Sequence, residues 1–280
     1  MILIQTCEGL ANRIRVIASG LSMADALHKE LTIIWPISSN LGCAYLDLFI
    51  LQNNFLVIEK SIHAKILQFK GSKNLFKILL ASIHSFVFSF DFVLLNSEIP
   101  EKVWKMPSNR LSSQNFPSQI RNIFVSTSEE FFENSHIHYA NIIKPIAHIQ
   151  KKIDLILSEI SKPFIGIHIR RTDHFEAAKM SRTELFIELI NKELIINPDI
   201  VFYLSTDSIE EAKRIIKIFG SQRIYFDDKK KLQRNTKDGI QQALVDLVLL
   251  SKSNRIYGSY RSSFSEVASL LGNVKLIVVN

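Results

Sequence analysis

One stretch, Phe164-Ile165-Gly166-Ile167-His168-Ile169-Arg170-Arg171-Thr172-Asp173, constrains the fold of this chain more than any other. Its first half alternates as a strand does: Ile165, Ile167 and Ile169 share one face, and Gly166, His168 and Arg170 share the other. A strand covered on both sides is ordinarily apolar throughout. Here the second face carries an imidazole and a guanidinium, and the strand runs directly into Arg171 and Asp173. Gly166 on that face leaves room for a close approach to the backbone. A structural ion pair at a strand end is the plainer reading; an anion site at the strand's carboxyl end is the sharper one, because open α/β sheets bind ligands there.

The 280 residues suit one large domain or two smaller ones. A net charge of +7, with 19 basic and 14 acidic residues interleaved over 160–280, favours a small anionic ligand over a nucleic-acid backbone, which needs a denser basic face. Cys7 and Cys43 do not make a disulfide framework, so a reducing compartment is expected. Met1–Thr6 reads as a first strand rather than a secretory leader. The apolar run from Ile78 to Leu95 is broken by His84 and Asp91, which predicts buried core or a membrane-surface contact rather than a spanning helix.

After the first strand, Ile14, Ile17, Leu21, Ala24 and Leu27 recur at helical steps, and Leu31–Trp35 is a second strand stopped by Pro36. This βαβ unit has its glycine turn, Gly9, at a helix N-terminus, where backbone N–H groups can meet an anion and Asn12 and Arg13 point from the first turn. It is not a dinucleotide fingerprint, since Gly-x-Gly-x-x-Gly is absent. Residues 40–150 show no clean period. His136, His138 and His148 have no ligand-like spacing to cysteines or carboxylates, so no metal site is expected of them.

From residue 160 the pattern becomes regular. Strands at 164–169, 201–205, 223–226, 255–258 and 274–279 alternate with helices at 181–196, 208–219, 239–250 and 263–271. Ser181, Ser208 and Ser263 each precede a glutamate by three residues as capping boxes, and Gly220 stops the second helix. Five strands with four helices predict a parallel, Rossmann-like domain. Beyond its strand ends, His168–Asp173, Thr206-Asp207, Asp246 and Ser262-Ser263 converge. A guanidinium for phosphate oxygens, helix N-termini, and carboxylates for a base edge or sugar hydroxyls suit a nucleotide diphosphate. No Asp-x-Asp stands at a strand end to hold Mg²⁺; Asp227-Asp228 lies in a loop.

These motifs resemble those of the α1,6-fucosyltransferases, in the superfamily that also holds the nodulation and protein O-fucosyltransferases. His168-Ile169-Arg170-Arg171-Thr172-Asp173 with Glu176-Ala177-Ala178 resembles the first motif, and Leu204-Ser205-Thr206-Asp207 the second. Asp246 through Ser251, followed by Ser262-Ser263-Phe264-Ser265, resembles the third, and Gly9-Leu10-Ala11-Asn12-Arg13 the N-terminal turn. The resemblance covers the last 120 residues well and the first 35 moderately, and it does not reach 40–150.

It implies an α/β GT-B architecture of two Rossmann-like domains with parallel sheets facing a cleft: 1–160 on the acceptor side and 161–280 binding the GDP-sugar. It implies an inverting fucosyltransferase that uses GDP-fucose as donor, a glycan or glycolipid as acceptor, and no cofactor or metal. By the family pattern Arg170 binds the β-phosphate, where leaving charge develops. His168 and Asp246 meet the guanosine, Asp207 and Ser263 sit at the donor, and Asn12 and Arg13 reach the pyrophosphate. Gly9, Arg171, Ser262 and Phe264 complete the donor-binding set. Glu176 aligns with a family glutamate able to act as base, after a loop shorter by about two residues. Asp173 is expected to hold Arg171 or the loop. The chain lacks the signal anchor, stem, disulfides and C-terminal module of eukaryotic relatives, which points to a cytoplasmic bacterial enzyme of polysaccharide biosynthesis with peripheral contact at the inner membrane face. Another GDP-sugar as donor, and a non-catalytic nucleotide-sugar-binding module, are the alternatives; no stripe of basic and aromatic residues supports RNA binding. Acceptor, linkage and oligomeric state are not legible in the sequence.

Overall fold

The computed structural model describes residues 1–106, 108–172 and 175–280. Contacts divide the chain into two compact units, Met1–Lys144 and Pro145–Asn280. The division falls about one helix earlier than the 160/161 boundary expected from sequence. The helix Ala147–Ile160 packs against a helix of the second unit, Lys237–Ser251, so the Lys162-Pro163 break ends an element without ending a domain.

The first unit runs β1 (Ile2–Thr6), α1 (Leu10–Leu27), β2 (Leu31–Ile34), β3 (Leu56–Ile58), α2 (Ile62–Leu67), α3 (Leu75–Val87), β4 (Phe90–Leu95), α4 (Ile99–Lys102), β5 (Asn122–Thr127) and α5 (Tyr139–Ile142). Its sheet is parallel with order β3-β2-β1-β5-β4. Helix α1 is buried along most of its length, as its three- and four-residue apolar steps require. Leu3, Ile34, Phe90, Leu95 and Phe124 form a core cluster with Ala64 and Leu67 of α2. The Ile78–Leu95 run is two elements, the end of α3 and then β4, joined through Ser89 in the left-handed region. Among the described residues no helix is long and apolar enough to cross a membrane.

The second unit runs α6 (Ala147–Ile160), β6 (Phe164–Ile169), α7 (Phe175–Met180), α8 (Thr183–Ile196), β7 (Val201–Thr206), α9 (Ile209–Phe219), β8 (Ile224–Tyr225), α10 (Lys237–Ser251), β9 (Arg255–Ser259), α11 (Ser263–Gly272) and β10 (Lys275–Val279). All five strands are parallel in the order β10-β9-β6-β7-β8, with β6 at the centre. Ile165, Ile167 and Ile169 pack on Phe186 and Ile190 of α8 and Ala212 and Ile215 of α9, so the alternation read from sequence is the face division of the sheet.

On the opposite face Gly166 does make room, but for α10. A Cβ there would lie 2.9 Å from Leu250 Cδ2 and 2.9 Å from Ser253 Oγ. The cap readings divide in the same way. Ser208 caps α9 by accepting from the Glu211 N–H, and Gly220 ends that helix at φ 84°. Ser181 does not cap α8: its hydroxyl donates to the Val279 carbonyl and accepts from the Tyr260 N–H, and Arg182 stands at the N-cap. Ser263 is the first residue of α11 rather than its cap. Both serines have partners from the packed sheet or lie one residue inside the helix, which the local pattern does not encode.

Candidate active site

The site grows from the carboxyl end of β6. His168 stands opposite Ser205 of β7 and Gly258 of β9, so residues after Ile169 emerge where three strands end together. Ser259 Oγ accepts from the Arg170 N–H at 3.0 Å and donates to the His168 carbonyl at 3.2 Å, fixing the strand's exit. Arg170 is half-buried at that exit.

Asp207, at the end of β7, organises the loop rather than a sugar. Its carboxylate accepts from the N–H groups of Arg171 (2.8 Å) and Thr172 (3.1 Å) and from the Thr172 hydroxyl (2.8 Å). Charge-assisted bonds to two successive amides hold the chain in a fixed turn after Arg170. The Arg171 guanidinium turns away, donating to the Arg170 carbonyl and to Thr183 Oγ1, with Glu211 at 3.7 Å. Burial lowers its pKa while Glu211 opposes the shift. Arg171 is thus a cation held behind the loop by protein partners. Asp173 lies outside the described residues.

His168 is buried, its ring 4.9 Å from that of Phe264 at 30° and its Nδ1 3.4 Å from Ser262 Oγ. Burial pushes its pKa down to about 4, outweighing the opposing pull of Asp207 and Asp246, so the ring is neutral at pH 7. Gly258 permits this packing on the α11 side: a Cβ there would sit 2.6 Å from Ser265 Oγ. The pair His168–Phe264 thus presents stacked rings beside the half-buried Ser263.

Asp246, expected to touch a nucleoside, is instead a buried junction only 4% exposed. Its Oδ1 accepts from the Tyr203 hydroxyl (2.9 Å) and Gln242 Nε2 (2.8 Å), and its Oδ2 from Ser205 Oγ (2.9 Å) and Lys230 Nζ (2.7 Å). Lys230 is itself buried, with its ammonium 4.4 Å from the Phe226 ring centroid. Lys230, Tyr203 and Gln242 were not singled out from sequence. Tyr203 lies two residues from Ser205 and so shares its sheet face, and Gln242 lies four before Asp246; those two periodicities could have found them, but nothing local marks Lys230 among its neighbouring lysines. Beside this junction a cavity of about 450 Å³ is lined by Lys152, Lys229, Lys231, His148, Asp238 and Gln241 along with Lys230 and Gln242. Lys152 reaches Asp227 Oδ2 at 3.1 Å across it.

Glu176, on the first turn of α7, is exposed and pairs with Arg261 at 3.4 Å. Arg261 sits in the left-handed region at φ 49°. The two side chains are more than half exposed, so the pair adds little to stability, and the carboxylate is accessible.

In the first unit the turn after β1 differs from expectation at Arg13. The guanidinium, 1% exposed, points inward: Nε donates to the Glu8 carbonyl (2.9 Å), Nη1 to the Pro36 carbonyl (2.6 Å) and Nη2 to Ser38 Oγ (3.2 Å), and Cζ lies 4.9 Å from the Trp35 ring centroid. Burial lowers its pKa to about 10, so it remains charged at neutral pH. Glu8 in the left-handed region (φ 62°) turns its carbonyl toward Arg13, and Asn40 Nδ2 holds its carboxylate at 2.8 Å. Arg13 therefore braces the turn. Gly9 is the N-cap of α1 with no side-chain cap, and Asn12 Oδ1 is buried without a hydrogen-bond partner. Among the described residues no group of three or more His, Cys, Asp or Glu side chains is placed to hold a metal.

No protein-family profile and no curated protein sequence matches the chain. Solved structures do. The NodZ α1,6-fucosyltransferase soaked with GDP-fucose, an enzyme also solved from Bradyrhizobium, matches with a TM-score of 0.64 and 16% identity, over 96% of this chain and 92% of that one. A point mutant of Arabidopsis thaliana FUT1 in complex with GDP matches with a TM-score of 0.64 and 13% identity, over 99% and 70%. POFUT1 in complex with GDP-fucose matches with a TM-score of 0.58 and 11% identity, over 100% and 98%. The two parallel sheets, in units joined at Lys144, thus form the α/β GT-B fold of the fucosyltransferases, the fold that the motifs around Arg170 imply.

Proposed function

We propose that this protein is an inverting, metal-independent glycosyltransferase that moves fucose from GDP-fucose to a hydroxyl of a glycan or glycolipid. The observation that carries the reading is the end of β6: Arg170, followed by a loop pinned through two amides to Asp207 and anchored at Ser259, in a fold shared with enzymes solved with GDP and GDP-fucose. A guanidinium at a fixed strand end is what a leaving diphosphate needs, because its stabilisation grows as charge develops and requires no rearrangement. Arg170 is assigned to the β-phosphate, and the His168–Phe264 stack with Ser262 and Ser263 to the nucleoside side of the donor. Asp207, Asp246, Arg171 and Arg13 act as positioning residues.

In the step proposed, the acceptor oxygen attacks the fucose anomeric carbon from the face opposite GDP. The bond from that carbon to the β-phosphate oxygen breaks, and GDP leaves with the electron pair. The acceptor's proton passes to a base, for which Glu176 offers an accessible carboxylate. Glycan mixtures incubated with GDP-fucose in EDTA should release GDP only with an acceptor present, and proton NMR of the product should give the anomeric configuration opposite to the donor's. Donor binding without release, for any acceptor, would favour a non-catalytic binding module. Release with a different GDP-sugar only would move the donor assignment.

A further inference from the structure

Helix α3 inverts the usual distribution of side chains on a surface helix. The residues it buries are small, Ala81 and Ser85, while Leu75, Phe76, Leu79, Ile83, Phe86 and Val87 are exposed, Leu75, Phe76 and Phe86 at 82%, 72% and 87%. At about 100° per residue these six positions fall within an arc of roughly 120°, so they form one contiguous apolar face. Soluble monomers rarely carry such a face without a partner for it. The helix is a built element rather than a loose end. Asn74 caps it by accepting from the Phe76 and Lys77 N–H groups, and Ser85 Oγ donates to the Phe90 carbonyl at 2.7 Å on its inner side.

The stretch that carries this face is basic, between Glu59 and Asp91, and Lys70 turns to the inner side, where it donates to Ser85 Oγ. Lys60, Lys65, Lys70, Lys73 and Lys77 lie between residues 60 and 90, and no aspartate or glutamate does. Lys73 directly precedes the cap and Lys77 is in the first turn, the end of a helix where its dipole disfavours cations. Lys77 Nζ lies 5.3 Å from the Phe69 ring centroid, and the placement of the two lysines complements an external anionic plane.

We propose that α3 is an interfacial helix that seats the protein on an anionic lipid bilayer, with its apolar face among the acyl-chain ends and its lysines at the headgroups. Its 13 residues span about 20 Å, too short to cross a hydrocarbon core of about 30 Å, so it lies in the membrane plane. This surface is in the first unit and is independent of the donor assignment.

The test is co-sedimentation of the full chain with vesicles of phosphatidylcholine alone or with about one-third phosphatidylglycerol, in 0.1 M salt. Phe76→Ser/Phe86→Ser and Lys73→Glu/Lys77→Glu variants are compared after circular dichroism shows them folded. Wild type should bind the anionic vesicles, and each double variant should bind at least about tenfold more weakly, since one loses apolar insertion and the other charge attraction. The exposed positions should leave unfolding midpoints unchanged; if the serine variant still misfolds, the lysine variant decides. Indifference of wild type to both vesicles overturns the proposal, and so does equal binding to both. Sedimentation without lipid that shows a dimer lost in the serine variant, with no vesicle binding, overturns it in favour of a second copy on this face.

Discussion

The two units are variations on one framework. Counting strands within each, the first sheet runs 3-2-1-5-4 and the second 3-2-1-4-5, so both share the same half and differ only in the order of the last two strands. Each also places an arginine after its first strand. Arg13 follows β1 by one helical turn and is buried, with its guanidinium nitrogens bonded to Glu8 in that turn and to Pro36 and Ser38 after β2. Arg170 directly follows β6 and remains half-buried at the strand end, while its neighbours Arg171 and Asp207 supply the bracing. The difference teaches that the turn after a unit's first strand can be held in two ways, by the Arg13 side chain in the first unit and by main-chain bonds to Asp207 in the second.

The sharpest way to break this comparison is at the scaffold of the second unit. Asp246→Leu leaves the Lys230 ammonium buried without its counter-charge, which should cost about 3–5 kcal/mol in urea unfolding. The double variant Asp246→Leu/Lys230→Met should recover much of that loss. A cost near zero for the single variant would mean that Asp246 is available to a ligand after all.

Arg13→Ala should cost about 2 kcal/mol, through carbonyls left unpaired at Glu8 and Pro36. Arg13→Lys should recover little, because an ammonium cannot reproduce the fork. Hydrogen exchange should localise the damage to the β1–α1 turn. Exchange unchanged there would contradict the bracing role of Arg13.

The pH dependence sharpens the picture of His168. Its folded pKa of about 4 lies below the unfolded value of about 6.5, so the unfolded state binds the proton first and stability falls as pH drops below about 6.5. At pH 5 the loss should be about 2 kcal/mol relative to pH 7.5. His84 and His138 are also lowered by burial and act with the same sign, so the comparison is with His168→Phe, whose acid limb should be shallower. An identical acid limb would show that His168 is not buried beside Phe264.

The second unit was legible because its strands alternate cleanly and its helices carry regular apolar steps; all five strands and four of its helices fall within a few residues of where the pattern puts them. Its site was legible by position but not by role. Asp207 stands at the end of β7 and Asp246 within α10, as expected, yet they turn inward because donors from Thr172, Tyr203, Ser205 and Lys230 meet them there, and those partners come from other segments of the chain. Residues 40–150 resisted reading for a physical reason as well. Strand β3 has three residues with Leu56 and Ile58 exposed, β4 carries Asp91 and an irregular register, and α3 turns its large apolar side chains outward, so core and surface do not alternate as they do in α8 or α9.

The central claim is that the end of β6 holds the diphosphate of a GDP-sugar through Arg170. Calorimetric titration of GDP and of GDP-fucose in EDTA, into wild type and Arg170→Ala, tests it most directly. Micromolar binding that the substitution weakens at least about 100-fold, with folding intact, is the result expected from a lost charge-assisted contact of about 3 kcal/mol. Binding that survives the substitution unchanged, or no binding of either ligand by wild type, would contradict it.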